Sequence, residues 1–449
     1  MEHKMSQEHS LSFAISGKAL MKYALPTILS SIFMNVYSLV DSLFVANLVS
    51  IEALSAVNIV GPALAIALAV GTMIATGGCA LVSKQMGEGD EQGARQNFSF
   101  FVLFAFAVSL AFCLLGLAFR APILRLMGAD DALYPLCEAY AVPVFLIIPF
   151  AMIGMILQIF FVAAGAPGLG FGLSLVGGIL NIVLDYVFIA VVKWGIAGAA
   201  LATGIGYCVQ SLVGAAYFAF KRGGSLYFVK PKWNGRALLK SCSNGMSEMV
   251  SMLAVSITMI VMNVILMDLT GSDGVAAAAV VLSAQTLLSA VYMGYLEGIA
   301  PVISYNYGAG ETEKLQKIYR AALKTIALLS LMTFIASFPA AKPLARIYAR
   351  GNAHVMAMAV EGIKIFAAAF LLMGFNMFAS SMFTAFNDGK TSAILSLLRT
   401  LVFLIIPLLI LPQFLGVNGV WLSLPAAEVL AAAVSTYYFK AKKAVYHYA

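Results

Sequence analysis

GGCALVSKQMGEGD (77–90) and GIAPVISYNYGAGE (298–311) are one passage written twice, 221 residues apart. Gly77 falls on Gly298, Ser83 on Ser304, Gly87 on Gly308, Gly89 on Gly310 and Asp90 on Glu311. The register holds in both directions. Pro122 meets Pro343, Arg125 meets Arg346, Ala164 meets Ala385, Gly168 meets Gly389, and Gly195, Gly198 and Leu201 meet Gly416, Gly419 and Leu422. Most of these matches are glycines, prolines and charges, residues kept for backbone geometry rather than as apolar filler. The chain is therefore read as two copies of one unit.

The unit belongs in a membrane. Of the 449 residues, 62% are hydrophobic and only 10% charged, and the mean hydropathy is +0.95. A soluble core needs far less apolar surface. The apolar runs last about 20 residues and do not alternate, which favours helices over a barrel. Twelve spans are expected, near 20–46, 52–77, 97–119, 133–160, 168–191, 196–219, 242–267, 275–302, 321–341, 355–385, 391–411 and 418–439. The fold class is thus an all-α polytopic membrane protein, twelve transmembrane helices in two homologous six-helix lobes. The expected division is a cytoplasmic amino-terminal tail (1–19), an amino-terminal lobe (20–220), a cytoplasmic basic linker (221–240), a carboxy-terminal lobe (241–440) and a cytoplasmic tail (441–449). Most of the 27 Lys and Arg fall on one side when the amino terminus is placed inside. The positive-inside rule then puts both termini in the cytoplasm of a multi-pass protein of the cell inner (plasma) membrane. Segment 221–240 alone has six basic residues and no acid, as a topology anchor would. The net charge of +7 reflects this bias and gives no argument for nucleic acid.

Several chemistries find no support. The five cysteines are scattered without disulfide or metal spacing. The four histidines lie in tails or a loop. Gly87–Glu91 and Gly308–Glu311 are glycine-rich but lack a following Gly-Lys-Ser/Thr, so they read as turns rather than phosphate cradles. No cofactor, ATP motor, ATP-binding subunit or catalytic constellation is implied, and the chain is read as not an enzyme. Pro26, Pro143, Pro149, Pro301, Pro407 and Pro425 lie within spans, where they free carbonyls and permit bending.

Charges inside spans carry the functional signal, because an ionised Asp at the bilayer centre costs ~3 kcal/mol on insertion scales. In the first half, Asp41 and Asp185 both fall about six residues from an outer helix end, or ~9 Å deep at 1.5 Å per residue. Asn181 lies one turn from Asp185, and Thr203 reaches a similar depth in the next span. No Lys, Arg or His lies within a span of this half. Neutralisation must come from solution, as a proton or as a hard cation such as Na⁺. Two neighbouring acids share a proton readily, which suits a site that loads and releases one. The second half differs, with Glu248, Glu297, Glu361, Lys364, Arg399 and Glu428 in spans. Glu361 with Lys364, by helical spacing, and Arg399 with Glu428, by depth, are expected structural ion pairs. Glu248 and Glu297 remain candidate cation or cationic-substrate contacts. In the repeat register Asp41, Asn181 and Asp185 land on Met262, Val402 and Ile406, so the acidic cluster is not duplicated.

With these residues in view, the chain resembles the multidrug and toxic compound extrusion (MATE) family, and most of all its DinF-like branch. The resemblance spans roughly 15–440 and rests on the duplicated six-helix halves, the twin loops ending Gly-Glu-Gly-Asp and Tyr-Asn-Tyr-Gly-Ala-Gly (305–310), and Asp41 with Asn181-x-x-x-Asp185. It implies a cation site at Asp41, Asn181, Asp185 and Thr203. It also implies export of small amphipathic, cationic organic compounds in exchange for H⁺ and/or Na⁺ by rocking alternating access, in a monomer contacting membrane lipid. Other branches have a carboxy-lobe site with a tenth-span Asp, whereas this tenth span offers Glu361 and Asn376. The alternative reading is a flippase or exporter of a lipid-linked or polysaccharide precursor. It would favour rows of cavity Arg and Lys, and the spans hold only Lys364 and Arg399. An integral-membrane enzyme is disfavoured.

Overall fold

The computed structural model describes residues 11–348 and 352–449, without side chains for 42, 43, 45–48, 51, 54 and 348. The start of the expected amino-terminal tail and Arg350 lie outside the described residues. Among the described residues, 12 helices are long and apolar enough to cross a membrane. We label them α1 (Gly17–Leu48), α2 (Ile51–Gly87), α3 (Glu91–Ala118), α4 (Tyr134–Ala163), α5 (Pro167–Val191), α6 (Gly195–Phe220), α7 (Gly235–Thr270), α8 (Ser272–Gly308), α9 (Thr312–Tyr348), α10 (Ala353–Ala385), α11 (Gly389–Leu415) and α12 (Val417–Tyr446). The six prolines singled out in spans all lie inside these helices.

The repeat is visible in the backbone. Gly89 and Gly310, the second glycines of the twin loops, take φ of 83° and 68° after α2 and α8. Only a residue without Cβ reaches that left-handed region without strain, so the motif is a turn device. Gly195 and Gly416 repeat the pattern at φ of 58° and 56°. Helix starts follow side-chain chemistry: Asp90, Asn352 and Asp388 each cap the helix that follows by accepting backbone N–H bonds.

Two compact units result. One holds Leu29–Gly245 and the described residues before Ala14; the other holds Ala14–Ile28 and Met246–Ala449. This differs from the expected split around 221–240 at both ends. The start of α1 joins the second unit, where Thr27 donates to the Gly294 carbonyl at 2.7 Å. The start of α7 joins the first, where Ser241 donates to the Ile74 carbonyl at 3.3 Å. Glycine explains both: a Cβ on Gly77 would lie 2.8 Å from the Gly245 nitrogen, and one on Gly298 would lie 2.7 Å from the Ala24 Cβ. Helices approach closely only where such side chains are missing.

The expected linker is also more ordered than its charge implied. Its first part folds onto the first unit, with Phe228 stacked on Phe98 at 5.1 Å and Trp233 edge-on to Phe100 at 5.3 Å. The Val229 amide donates to Ser99, and Arg95 donates to the Ser225 carbonyl. Likewise, residues 441–446 of the expected tail continue α12. Tyr448 is buried and donates to the Phe439 carbonyl.

Candidate functional site

In the first unit, three helices bring their polar residues to one level. Asn181 on α5 donates to Thr203 on α6 at 3.2 Å. Asp185, one turn further along α5, is fully buried, and Asn181 nearly so. Asp41 on α1 and Asp185 face each other closely enough for their carboxyls to interact. With both carboxyls ionised neither supplies the other with a donor, and Asp41 Oδ1, Asn181 Oδ1 and both Asp185 carboxyl oxygens are buried without a hydrogen-bond partner. A proton on either lets the two carboxyls bond. Four orphaned oxygens in one place are costly unless something positively charged arrives.

The space is small because α5 and α6 nearly touch. A Cβ on Gly206 would lie 2.9 Å from the Gly177 carbonyl oxygen, and one on Gly177 would lie 2.6 Å from Gln210 Nε2. What remains is a cavity of about 10 Å³ lined by Tyr37, Asn181, Thr203, Tyr207 and Gln210 with glycines between them. That is room for a single water-sized occupant. Asn181 and Thr203 line the cavity, and the Asp41 and Asp185 carboxylates stand next to it within electrostatic reach of its Tyr37. Together these oxygens are hard donors, a set that fits a proton or a bare alkali cation.

Tyr37, Tyr140 and Tyr207 were not picked out by the sequence reading. Tyr37 and Tyr140 lie within electrostatic reach of both Asp41 and Asp185, and Tyr207 of Asp41. A signal was available for two of them. Tyr37 precedes Asp41 by four residues and Tyr207 follows Thr203 by four, so each shares a helix face with an expected ligand. Tyr140 on α4 has no such marker.

The second unit is arranged otherwise. Arg399 on α11 meets Glu428 on α12 in a two-pronged contact, NH2 to Oε1 at 2.8 Å and Nε to Oε1 at 2.9 Å. Asn376 on α10 donates to Glu428 Oε2 at 2.6 Å and accepts from Ser435 at 3.0 Å. Both carboxyl oxygens of Glu428 and both ends of the Asn376 amide have partners, and Glu428 is only 1% exposed. Alongside runs a buried row of hydroxyls, Ser380, Thr384, Ser392 and Ser396, linked at 2.7–2.9 Å. Glu248 interacts electrostatically with Arg399 and with Glu297.

The other expected ion pair does not form. Among the described residues, Glu361 and Lys364 make no ion pair, although they stand three residues apart on α10. The Glu361 carboxyl instead accepts from Asn418 Nδ2 at 3.1 Å. A neutral donor from α12 thus meets it across the helix interface. Both residues line an open cavity of about 450 Å³ together with Lys342. At such a wet site an i, i+3 pair is worth only a few tenths of a kcal/mol, roughly 0.2–0.5, and is readily displaced.

A family model, MatE, matches residues 26–187 and again residues 249–409. The chain belongs to the MatE family. The double match restates the repeat found in the glycines, at nearly the same spacing. Among curated relatives, the multidrug export protein MepA of Staphylococcus saprophyticus is 25% identical, over 92% of this chain and 91% of its own length. The MepA protein of Staphylococcus aureus is 26% identical with the same coverage. Among solved structures, an outward-facing multidrug resistance MATE transporter of the MOP superfamily superposes with a TM-score of 0.92, covering 99% of each chain at 23% identity. A MOP-superfamily transporter from Pyrococcus furiosus gives 0.91 at 22% identity, also over 99% of each. These likenesses establish the fold: this MatE protein is a multi-pass membrane transporter rather than an enzyme.

Proposed function

We propose that this MatE protein is a secondary active exporter of small amphipathic, cationic organic compounds, driven by exchange for H⁺ and/or Na⁺ bound at Asp41, Asn181, Asp185 and Thr203. One observation carries the reading: four buried oxygens on two helices, α1 and α5, lack hydrogen-bond partners and have no basic side chain in their lobe's spans. The MepA relatives, named as multidrug export proteins, support the substrate class.

The mechanism follows from charge. With the site empty, Asp41 and Asp185 repel and hold α1 and α5 apart. A proton or Na⁺ removes that repulsion, so the two helices draw together and bend near Pro26. The lobe conformation changes, and the substrate cavity opens outward with reduced affinity. By linkage, ion and substrate weaken each other's binding by the same factor. Substrate affinity measured across pH and Na⁺ concentration tests this. Affinity should fall as protons or Na⁺ rise, and indifference to both ions in a protein that still exchanges them would end the proposal. The orientation read from Lys and Arg, with both termini and 221–240 cytoplasmic, accompanies it. A cysteine introduced in that segment should resist impermeant labelling from outside intact cells.

A further inference from the structure

The repeat register can be laid over the two polar clusters. The amino-terminal cavity is lined by Gly178 on α5 and Tyr207 on α6. Moved by the same 221 residues that relate the twin loops, these positions are Arg399 and Glu428. The two residues of the carboxy-terminal ion pair are thus the counterparts of two residues that line the small cavity with Asn181 and Thr203. The counterparts of the ion-binding set itself are Met262, Val402, Leu424 and Ile406, none of which can bind a cation through its side chain.

What differs is how charge is balanced at that level. In the first unit the carboxylates have no covalent partner, and glycines at 177, 178 and 206 leave a small space. In the second unit the Gly178 counterpart is Arg399, carried on a π-helical turn, Leu398–Val402. Its guanidinium sits on Glu428 from one side while Asn376 meets the other carboxyl oxygen. A pair placed merely to tie helices together could sit at any depth. This one stands at the repeat positions of two residues of that cavity's lining and leaves Glu428 nothing to bind.

We propose that Arg399 is a built-in substitute for the coupling ion in the carboxy-terminal lobe, holding Glu428 permanently compensated and so confining ion exchange to the amino-terminal lobe. The inference rests on the ion-site reading of Asp41 and Asp185 given above. A guanidinium remains charged under all physiological conditions and cannot dissociate from its helix. The Glu428 carboxylate therefore receives no ion-driven signal. Replacing Arg399 by a neutral side chain should convert Glu428, with Asn376 and Ser435 behind it, into a second exchangeable site. The other ionisable groups facing the pair are Glu248, which interacts with Arg399, Glu297 beyond it, and Tyr292, which interacts with Glu428.

The test is thermal melting of purified full-length protein in detergent, in NaCl against choline chloride and at pH 6 against pH 9. An Asp41→Asn background silences the amino-terminal site. Adding Arg399→Ala should create a new stabilisation by Na⁺ over choline at pH 9, where Glu428 competes least with protons, a rise of at least about 3 °C. Adding Glu428→Gln as well should abolish it, and Arg399→Lys, which keeps the charge, should never show it. A purely structural pair would leave Arg399→Ala less unstable at pH 6 than at pH 9, because the stranded Glu428 carboxylate takes up a proton, but equally unstable in NaCl and in choline chloride. That result, or an ion response that persists without the Glu428 carboxylate, overturns the proposal. If Arg399→Ala folds in none of the buffers while the Arg399→Ala/Glu428→Gln protein folds, a mobile cation cannot replace the guanidinium, and the proposal again falls. If neither folds, Arg399→Lys decides, since an ion response there would contradict it. The ion-site reading is judged separately. It fails if Asp41→Asn alone retains the whole ion response of the wild-type protein, whatever the Arg399 variants do.

Discussion

The two halves share a backbone plan and part company in how each balances buried charge. In the first, Asp185 is buried and Asp41 half-buried, with orphaned oxygens next to a cavity for one small occupant that Asn181 and Thr203 line. In the second, Arg399 and Asn376 satisfy both carboxyl oxygens of Glu428, and Ser435 satisfies the Asn376 oxygen. An unsatisfied buried carboxylate is a place where something must come and go. A satisfied one is held in place by the same energetics, because separating the partners strands a charge. Duplication copied the helices, and divergence at a few positions gave one lobe carboxylates with unpartnered oxygens and the other a carboxylate held by a guanidinium.

The largest expected effect that could break this contrast is on transport. Asp41→Asn or Asp185→Asn should reduce ion-driven export in proteoliposomes to the passive leak. Glu428→Gln, where the protein folds, should retain a measurable response to the gradient. Equal rates in wild-type and Asp41→Asn protein, or a response lost only in Glu248→Gln or Glu297→Gln, would move the coupling site to the other lobe.

Stability should show the opposite ranking. Glu428→Gln leaves the Arg399 guanidinium without its counter-charge in a largely buried setting, a loss of about 3 kcal/mol. Asp41→Asn removes a poorly satisfied carboxyl and should cost much less, or raise the melting temperature at alkaline pH. Thermal unfolding of the two variants side by side sharpens the comparison. Similar melting temperatures would mean that the charge balance of the two lobes is alike after all.

A smaller effect separates the starts of the equivalent helices α5 and α11. Pro167 opens α5 with no side-chain cap, and its repeat counterpart is Asp388, which caps α11. Asp388 also takes bonds from Thr391 Oγ1 at 2.7 Å, Tyr446 at 2.9 Å and Lys442 at 3.2 Å. Burial would lift the Asp388 carboxyl, but the bonds from Thr391, Tyr446 and Lys442 hold it below the usual carboxylate range. A carboxyl depressed in the folded state contributes stability that is present above its unfolded pKa and is lost as pH falls through the folded value. Asp388→Ala should therefore cost about 1 kcal/mol at neutral pH. It should also flatten part of the acid limb of the stability profile, read as melting temperature against pH from neutrality down to about pH 3. An unchanged acid limb would assign that stability to other groups.

Much of this was legible in the chain. Twelve spans, the repeat and its turn glycines follow from apolar run length and from where Cβ-free residues recur, and both signals are local. Asp41, Asn181, Asp185 and Thr203 were legible because acids are rare in spans and helical rise converts residue count into depth. Spacing along one helix was a poorer guide to pairing. Glu361 and Lys364 share a face of α10, yet the Glu361 carboxyl found Asn418. The Arg399–Glu428 pair formed between helices as depth implied, but Asn376, its third member, came from another span altogether.

Sequence by itself determined the class of protein, the number of crossings, the duplication and the level at which charge is buried, since each depends on composition or on periodicity along one helix. Tertiary structure alone decided which oxygens remain unsatisfied and that Tyr37, Tyr140 and Tyr207 surround the two aspartates. It also decided that the starts of α1 and α7 pack in the unit opposite to their sequence halves. These outcomes depend on how closely one helix can approach another. That distance is set by glycines meeting residues more than a hundred positions away, as Gly77 meets Gly245 and Gly298 meets Ala24. No window along the chain contains both partners of such a contact.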